Sequence, residues 1–134
     1  MKQILVVDDE ARITQIYHRL LSAEGYGVLE ANDCHYAMNL LITHSDIGLM
    51  LLDIRLPQID GVTLYEAAKE CDPDIKVIVT SAYTLEVQKE RILKADDYYE
   101  KTQGLDILLS KIRRVFLSPC ANSPRHDKMA VKER

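Results

Sequence analysis

Three apolar stretches and one aromatic stretch of this chain run directly into residues that could do chemistry together. Ile4-Leu5-Val6-Val7 meets Asp8-Asp9-Glu10, and Leu49-Met50-Leu51-Leu52 meets Asp53. Val77-Ile78-Val79 meets Thr80-Ser81-Ala82, and Asp97-Tyr98-Tyr99-Glu100 meets Lys101. If the stretches are neighbouring strands, three carboxylates, a hydroxyl and an ammonium gather at one edge. Two like charges 4 Å apart repel by about 4 kcal/mol at an effective dielectric of about 20. Crowded anions at Asp8, Asp9 and Asp53 therefore require raised pKa values or a cation among them. Oxygen-only donors suit a small hard ion, and Mg²⁺ takes one or two carboxylates while leaving positions for waters and phosphoryl oxygens. Taken alone, Asp8 and Asp9 could equally cap a following helix. Asp53 and Lys101 at matching strand ends favour binding. Ser81, for its part, could bond its own backbone.

The elements that must position these residues are legible in the hydropathy pattern. Strands are predicted over 3–7, 26–31, 48–52, 75–80 and 97–100. Ile13, Ile16, Tyr17, Leu20 and Leu21 follow helical spacing, and Gly25 supplies a stop. Shorter helices are predicted over 35–43 and 61–70, and a weakly patterned one over 84–94. A last helix places Leu105, Leu108, Leu109, Ile112 and Phe116 on one face. Five strands alternating with five helices call for an α/β fold, a parallel sheet covered on both faces. In such a sheet the ligand site lies beyond the carboxyl ends of the strands, where the polar residues fall. Strand five is polar enough for an edge.

Composition narrows the function classes. A chain of 134 residues has the length of one domain. With 47% hydrophobic and 28% charged residues it matches ordinary globular chains, which excludes a wholly disordered or collagen-like protein. The quoted apolar runs are far shorter than the ~20 residues of a membrane span or the ~7–15 of a signal-peptide core. Cys34, Cys71 and Cys120 lack a paired spacing, so a reducing cytoplasm is expected. His18, His35, His44 and His126 show no metal-ligand spacing. The net charge of −4 argues against nucleic acid as the main partner. In 118–134, Arg125, Lys128, Lys132 and Arg134 outnumber Asp127 and Glu133, beside Pro119 and Pro124. A flexible basic tail is expected there.

Over residues 2–117 the sequence resembles the receiver domain of two-component response regulators, of the single-domain, chemotaxis-receiver-like kind. The matching pieces are Ile4 to Glu10, Leu51 to Pro57 with Asp60-Gly61, Val77 to Tyr83, and Ala95 to Lys101. The resemblance implies a flavodoxin-like (βα)5 doubly wound sheet in the order 2-1-3-4-5, with the receiver over 1–117. It implies that Asp53 accepts a phosphoryl group from a sensor histidine kinase or phosphotransfer protein, with Mg²⁺ as cofactor. Asp9, Asp53 and the backbone carbonyl of Arg55 would ligate the ion, with Asp8 acting largely through water. Lys101, the Ser81 hydroxyl and the Ala82 N–H would bind phosphoryl oxygens. Ser81 is preferred over Thr80 because a small residue follows it. Ser81 and Tyr98 would form the switch, with Tyr99 the alternative aromatic packed on the last helix. The face made by helix four, strand five and helix five would read out the state and could support a homodimer.

Several positions depart from the family pattern. Thr102 replaces the proline usual after the lysine; a cis bond before a non-proline residue costs about 2.5–4 kcal/mol, so the Lys101–Thr102 bond is open between cis and trans, and Lys101 is expected to be less rigidly held. Lys94 and Cys34 stand where glycines are common. Arg55 and Tyr83 lie two residues beyond Asp53 and Ser81, where bulk would shield an aspartyl phosphate from water.

Three other functions compete. A pseudo-receiver adaptor would be expected to lose pocket residues, yet all five remain. An aspartate-nucleophile phosphatase would place an acid where Arg55 stands. A flavin carrier needs a hydroxyl- and glycine-rich loop where Asp8-Asp9-Glu10 stands. The tail is too short for a DNA-binding output domain, although a fragment of a longer regulator stays open.

Overall fold

The computed structural model describes residues 2–56, 60–92 and 94–117. Five strands, β1 (Gln3–Val7), β2 (Gly27–Ala31), β3 (Ile47–Asp53), β4 (Lys76–Ser81) and β5 (Asp97–Glu100), form one sheet. They alternate with α1 (Ala11–Ala23), α2 (Cys34–Thr43), α3 (Gly61–Cys71), α4 (Leu85–Arg91) and α5 (Leu105–Leu117). The order is β2-β1-β3-β4-β5 and every pairing is parallel, as the resemblance implied. Short β5 lies at an edge, as its polarity predicted.

The sheet is apolar on both faces because each face has its own helical cover. Leu5, Val7, Met50, Leu52, Val77 and Val79 pack with residues of α2 and α3. Ile4, Val6, Leu49, Leu51 and Ile78 pack against Tyr17 and Leu21 of α1 and Leu108, Ile112 and Val115 of α5. Burial of two faces excludes water from the central strands, so the strands reach solvent only at their ends. The register sets those ends level: Val7 pairs with Leu52, Asp53 with Thr80, and Ser81 with Glu100.

Two helix faces turn out differently from the predicted ones. In α1 the buried stripe is Thr14, Tyr17 and Leu21, while Ile16 is 41% exposed. At 3.6 residues per turn Ile16 lies about 100° from Tyr17, outside the stripe that Thr14 and Leu21 define. In α5, Leu105 is half exposed and Val115 is buried in its place. Helix α4 is shorter than the 84–94 prediction. Thr84 caps its start through Val87 N–H, and Ile92 leaves helical geometry at φ −131° to enter the core. The Ile92 carbonyl, freed from the helix, accepts the Tyr98 hydroxyl. Leu93 lies outside the described residues, as do Pro57 and the predicted tail over 118–134.

Gly25 closes α1 at φ +94°, the left-handed conformation that suits a residue without a Cβ. Gly61 serves a different need. A Cβ there would lie 2.7 Å from the Asp53 carbonyl oxygen and 2.7 Å from Ile54 Cα. Only glycine lets α3 start this close to the end of β3, where its N–H bonds the Ile54 carbonyl at 2.9 Å.

Candidate acidic site at the strand ends

The carboxyl edge of the sheet carries the predicted cluster. Asp53 is the last residue of β3, and Asp8 and Asp9 follow β1 directly. Asp8 and Asp53 are buried and Asp9 is exposed, with one oxygen from each lying within 4.8 Å of the others. Neither Asp8 nor Asp9 caps α1: Glu10 occupies that position, without a side-chain cap bond. The Asp8 Oδ1 instead accepts the Glu10 N–H at 2.9 Å, and Asp53 Oδ1 accepts the Arg55 N–H at 3.0 Å. Both carboxylates are thereby aimed by their own following backbone.

Lys101 follows β5, and its N–H bonds the Ser81 carbonyl at 2.8 Å. Its Nζ reaches Asp8 Oδ2 at 2.7 Å and Asp53 Oδ2 at 3.1 Å. The Lys101–Thr102 peptide, which the sequence left open, is trans. Two buried carboxylates hold the Lys101 ammonium between them across this trans bond.

One ammonium does not balance the cluster. Burial raises the Asp53 pKa to about 6, assisted by the Asp8 charge and opposed by Lys101 and the Arg55 N–H. Burial likewise raises Asp8, against the pull of Lys101 and the Glu10 N–H. Burial of Lys101 works against its charge, yet the two carboxylates outweigh it and hold its pKa up. The uncompensated negative charge, on oxygen donors from two strand ends, fits a small divalent cation.

The remaining predicted residues divide. Ala82 lines the cavity above Asp53. The Ser81 hydroxyl is buried and accepts the Tyr83 N–H at 3.2 Å, so here it bonds its own backbone, the alternative anticipated above. Tyr98 is buried, donating to Ile92 O and accepting the Ala95 N–H at 3.3 Å. Tyr99 packs in the cluster of α5 and donates to Gly104 O at 2.8 Å. Tyr83 itself does not line the cavity: its ring lies against Arg55 and Arg91, which do.

Three contributors escaped the sequence reading. Asn32 donates to the Asp8 carbonyl at 2.9 Å and to Thr14 Oγ1 at 3.2 Å, tying β2 to the site. Gln88, fully buried in α4, donates to Tyr83 O at 2.8 Å and Tyr99 O at 3.0 Å. Arg91, at the end of α4, forms part of the cavity wall. None of the three carries a signal in the sequence, since an amide or a guanidinium on a surface-patterned segment reads the same whether it meets solvent or the site.

Comparison with known proteins places this geometry. The family model for the response regulator receiver domain matches residues 4–113. The transcriptional regulatory protein CpxR of Escherichia coli is 32% identical over 117 residues, covering 86% of this chain and 49% of CpxR. This chain therefore spans about half the length of CpxR. Sporulation initiation phosphotransferase F of Bacillus subtilis is 28% identical over 115 residues, covering 84% of this chain and 92% of that protein. The crystal structure of response regulator TrrA from Thermotoga maritima, in complex with Mg²⁺-BeF, superposes with a TM-score of 0.78. It is 30% identical, with 86% of this chain and 99% of TrrA covered.

Proposed function

Because this chain belongs to the family of response regulator receiver domains, we propose that it is a phosphorylation switch with Asp53 as its acceptor. The observation that carries this is the buried Asp53 carboxylate at a strand end, 3.1 Å from the Lys101 ammonium and beside two further carboxylates. The phosphoryl donor is a sensor histidine kinase or a phosphotransfer protein. The protein acts through protein contacts in the cytoplasm; among the described residues no helix is long and apolar enough to cross a membrane.

By the family resemblance, Asp9, Asp53 and the Arg55 carbonyl would hold Mg²⁺, with Asp8 assisting through water. When bound, the ion neutralises carboxylates and phosphoryl oxygens. The chain's own residues do the rest. A carboxylate is a weak nucleophile, so positioning and charge dominate the catalysis. The Arg55 N–H fixes one Asp53 oxygen. Lys101, released in part from Asp53, pairs with the incoming phosphoryl charge. The Ala82 N–H and the Ser81 hydroxyl take phosphoryl oxygens. The Ser81 oxygen accepts the Tyr83 N–H at 3.2 Å, which leaves its O–H to donate to a phosphoryl oxygen.

The aspartyl phosphate adds about −1.5 to −2 charge beside Lys101. Any state that brings Ser81 to it gains population, and buried Tyr98 belongs to the face of α4, β5 and α5 that reads the change. Partner binding, or a homodimer, forms on that face. Incubation with acetyl phosphate and Mg²⁺ followed by intact mass tests the function. One phosphoryl group is expected on the wild type, and none on Asp53→Asn or after chelation. Label retained in Asp53→Asn rules out Asp53 as the acceptor.

A further inference from the structure

The cavity above Asp53 measures about 660 Å³ and extends to the start of α3 and the end of α4. It has room for much more than one phosphoryl group, and its lining includes two arginines, Arg55 and Arg91, with the Asp60 carboxylate beside them. Arg55 comes from the end of β3 and Arg91 from the last turn of α4. Their guanidiniums stand against one ring, that of Tyr83, with Cζ 5.7 Å and 5.9 Å from its centroid. Cation–π contact within about 6 Å positions a guanidinium without neutralising it. The carboxylate near Arg91 is that of Asp60, at 3.9 Å, beyond hydrogen-bond distance. The Arg91 side chain is 44% exposed, and so is open to an anion entering the cavity.

We propose that Arg91, together with Arg55, forms a subsite for the anionic leaving group of a small acyl-phosphate donor. The inference rests on the phosphoacceptor function proposed above and extends it to donor choice. In the transfer, an Asp53 carboxylate oxygen forms a bond to phosphorus. The bond from phosphorus to the bridging oxygen of the acyl phosphate breaks, and its electron pair leaves with the carboxylate of the free acid. No proton or redox partner is required. Negative charge grows on the departing carboxylate, which the planar fork of a guanidinium matches in two parallel hydrogen bonds. A phosphoramidate donor departs instead as neutral ammonia and offers this fork nothing.

The two donors therefore separate the roles. Phosphorylation rates of the full chain with Mg²⁺ are measured by intact mass for wild type, Arg91→Ala and Arg91→Lys, using acetyl phosphate and phosphoramidate in parallel. For Arg91→Ala, the second-order rate constant with acetyl phosphate is expected to fall about tenfold, and that with phosphoramidate by less than about twofold. Arg91→Lys recovers part of the acetyl phosphate rate, since a point charge replaces the fork. Equal losses with both donors, or no loss with acetyl phosphate, overturn the subsite while leaving Asp53 as acceptor. A wild type that takes a phosphoryl group from neither donor overturns both.

Discussion

At the scale of single residues, the governing fact is that two buried carboxylates share one ammonium. With its folded pKa raised from 3.8 to about 6, Asp53 binds a proton more tightly folded than unfolded. Its contribution to stability is thus fully present below pH 3.8 and is lost as the pH rises through about 6. In chelator, Asp53→Asn is expected to raise the melting midpoint at pH 7.5 by about 5 °C, corresponding to relief of roughly 1–2 kcal/mol. The gain should shrink toward pH 4.5, and thermal melts at both pH values measure it. An unchanged or lower midpoint at pH 7.5 means that Lys101 compensates the cluster fully. Tyr83 acts one step removed from the cavity, by bracing Arg55 and Arg91 against its ring. Tyr83→Ala should shorten the half-life of the phosphorylated protein several-fold, because both arginines lose the support that keeps them over the approach to Asp53. Equal half-lives for the two proteins dispose of the shielding role. Asp8, Asp9, Asp53 and Lys101 were legible as a group because each directly ends or follows an apolar or aromatic stretch. Arg91 was not, because a cation in the last turn of a surface helix has the same sequence signature whether it meets solvent or a cavity.

Among the elements, α3 and α4 are held to the site by means that hydropathy does not record. Helix α3 starts against the β3 end, where a Cβ on Gly61 would meet backbone at 2.7 Å. Backbone cannot yield as a flexible side-chain end can. Gly61→Ala is therefore expected to destabilise the fold by about 2 kcal/mol or more, as overpacking does elsewhere. It should also slow phosphorylation by displacing Asp53, and urea melts together with acetyl phosphate rates would register both losses. Helix α4 has seven residues and is pinned by one buried amide. Gln88 bridges the Tyr83 and Tyr99 carbonyls, while its own Oε1 finds no hydrogen-bond donor among the described residues. Replacing it with alanine removes the donor to the buried Tyr99 carbonyl and the half-buried Tyr83 carbonyl, at about 1–3 kcal/mol for an acceptor left unpaired. Amide exchange in α4 and at the end of β4 should accelerate in Gln88→Ala well beyond that in α1. Uniform protection across the two helices shows that the pin is dispensable. The strands and the outer helices were recognisable from period and turn residues. The end of α4 was not, since its last turn is decided by the pull of Ile92 into the core.

For the whole molecule, charge crowding at the strand ends ties stability to function. A sheet buried on both faces brings carboxylates from distant segments together at its carboxyl edge. A ligand that binds only the folded state raises stability by mass action. Mg²⁺ at concentrations well above its dissociation constant should therefore raise the wild-type melting midpoint and leave that of Asp9→Asn, Asp53→Asn nearly unchanged. Calorimetry with and without chelator measures the difference, and identical shifts in both proteins place the ion elsewhere. By itself the sequence determined the alternation of strands and helices and the polar punctuation after each central strand. It also marked Thr102 in the place where the family has proline. Those features are local, set by side-chain period and by backbone preferences of neighbouring residues. Tertiary structure alone decided that Ile16 faces solvent and that Gln88 and Arg91 serve the site. Each depends on contacts between segments far apart in the chain, and such contacts are settled by how the helices pack on the sheet.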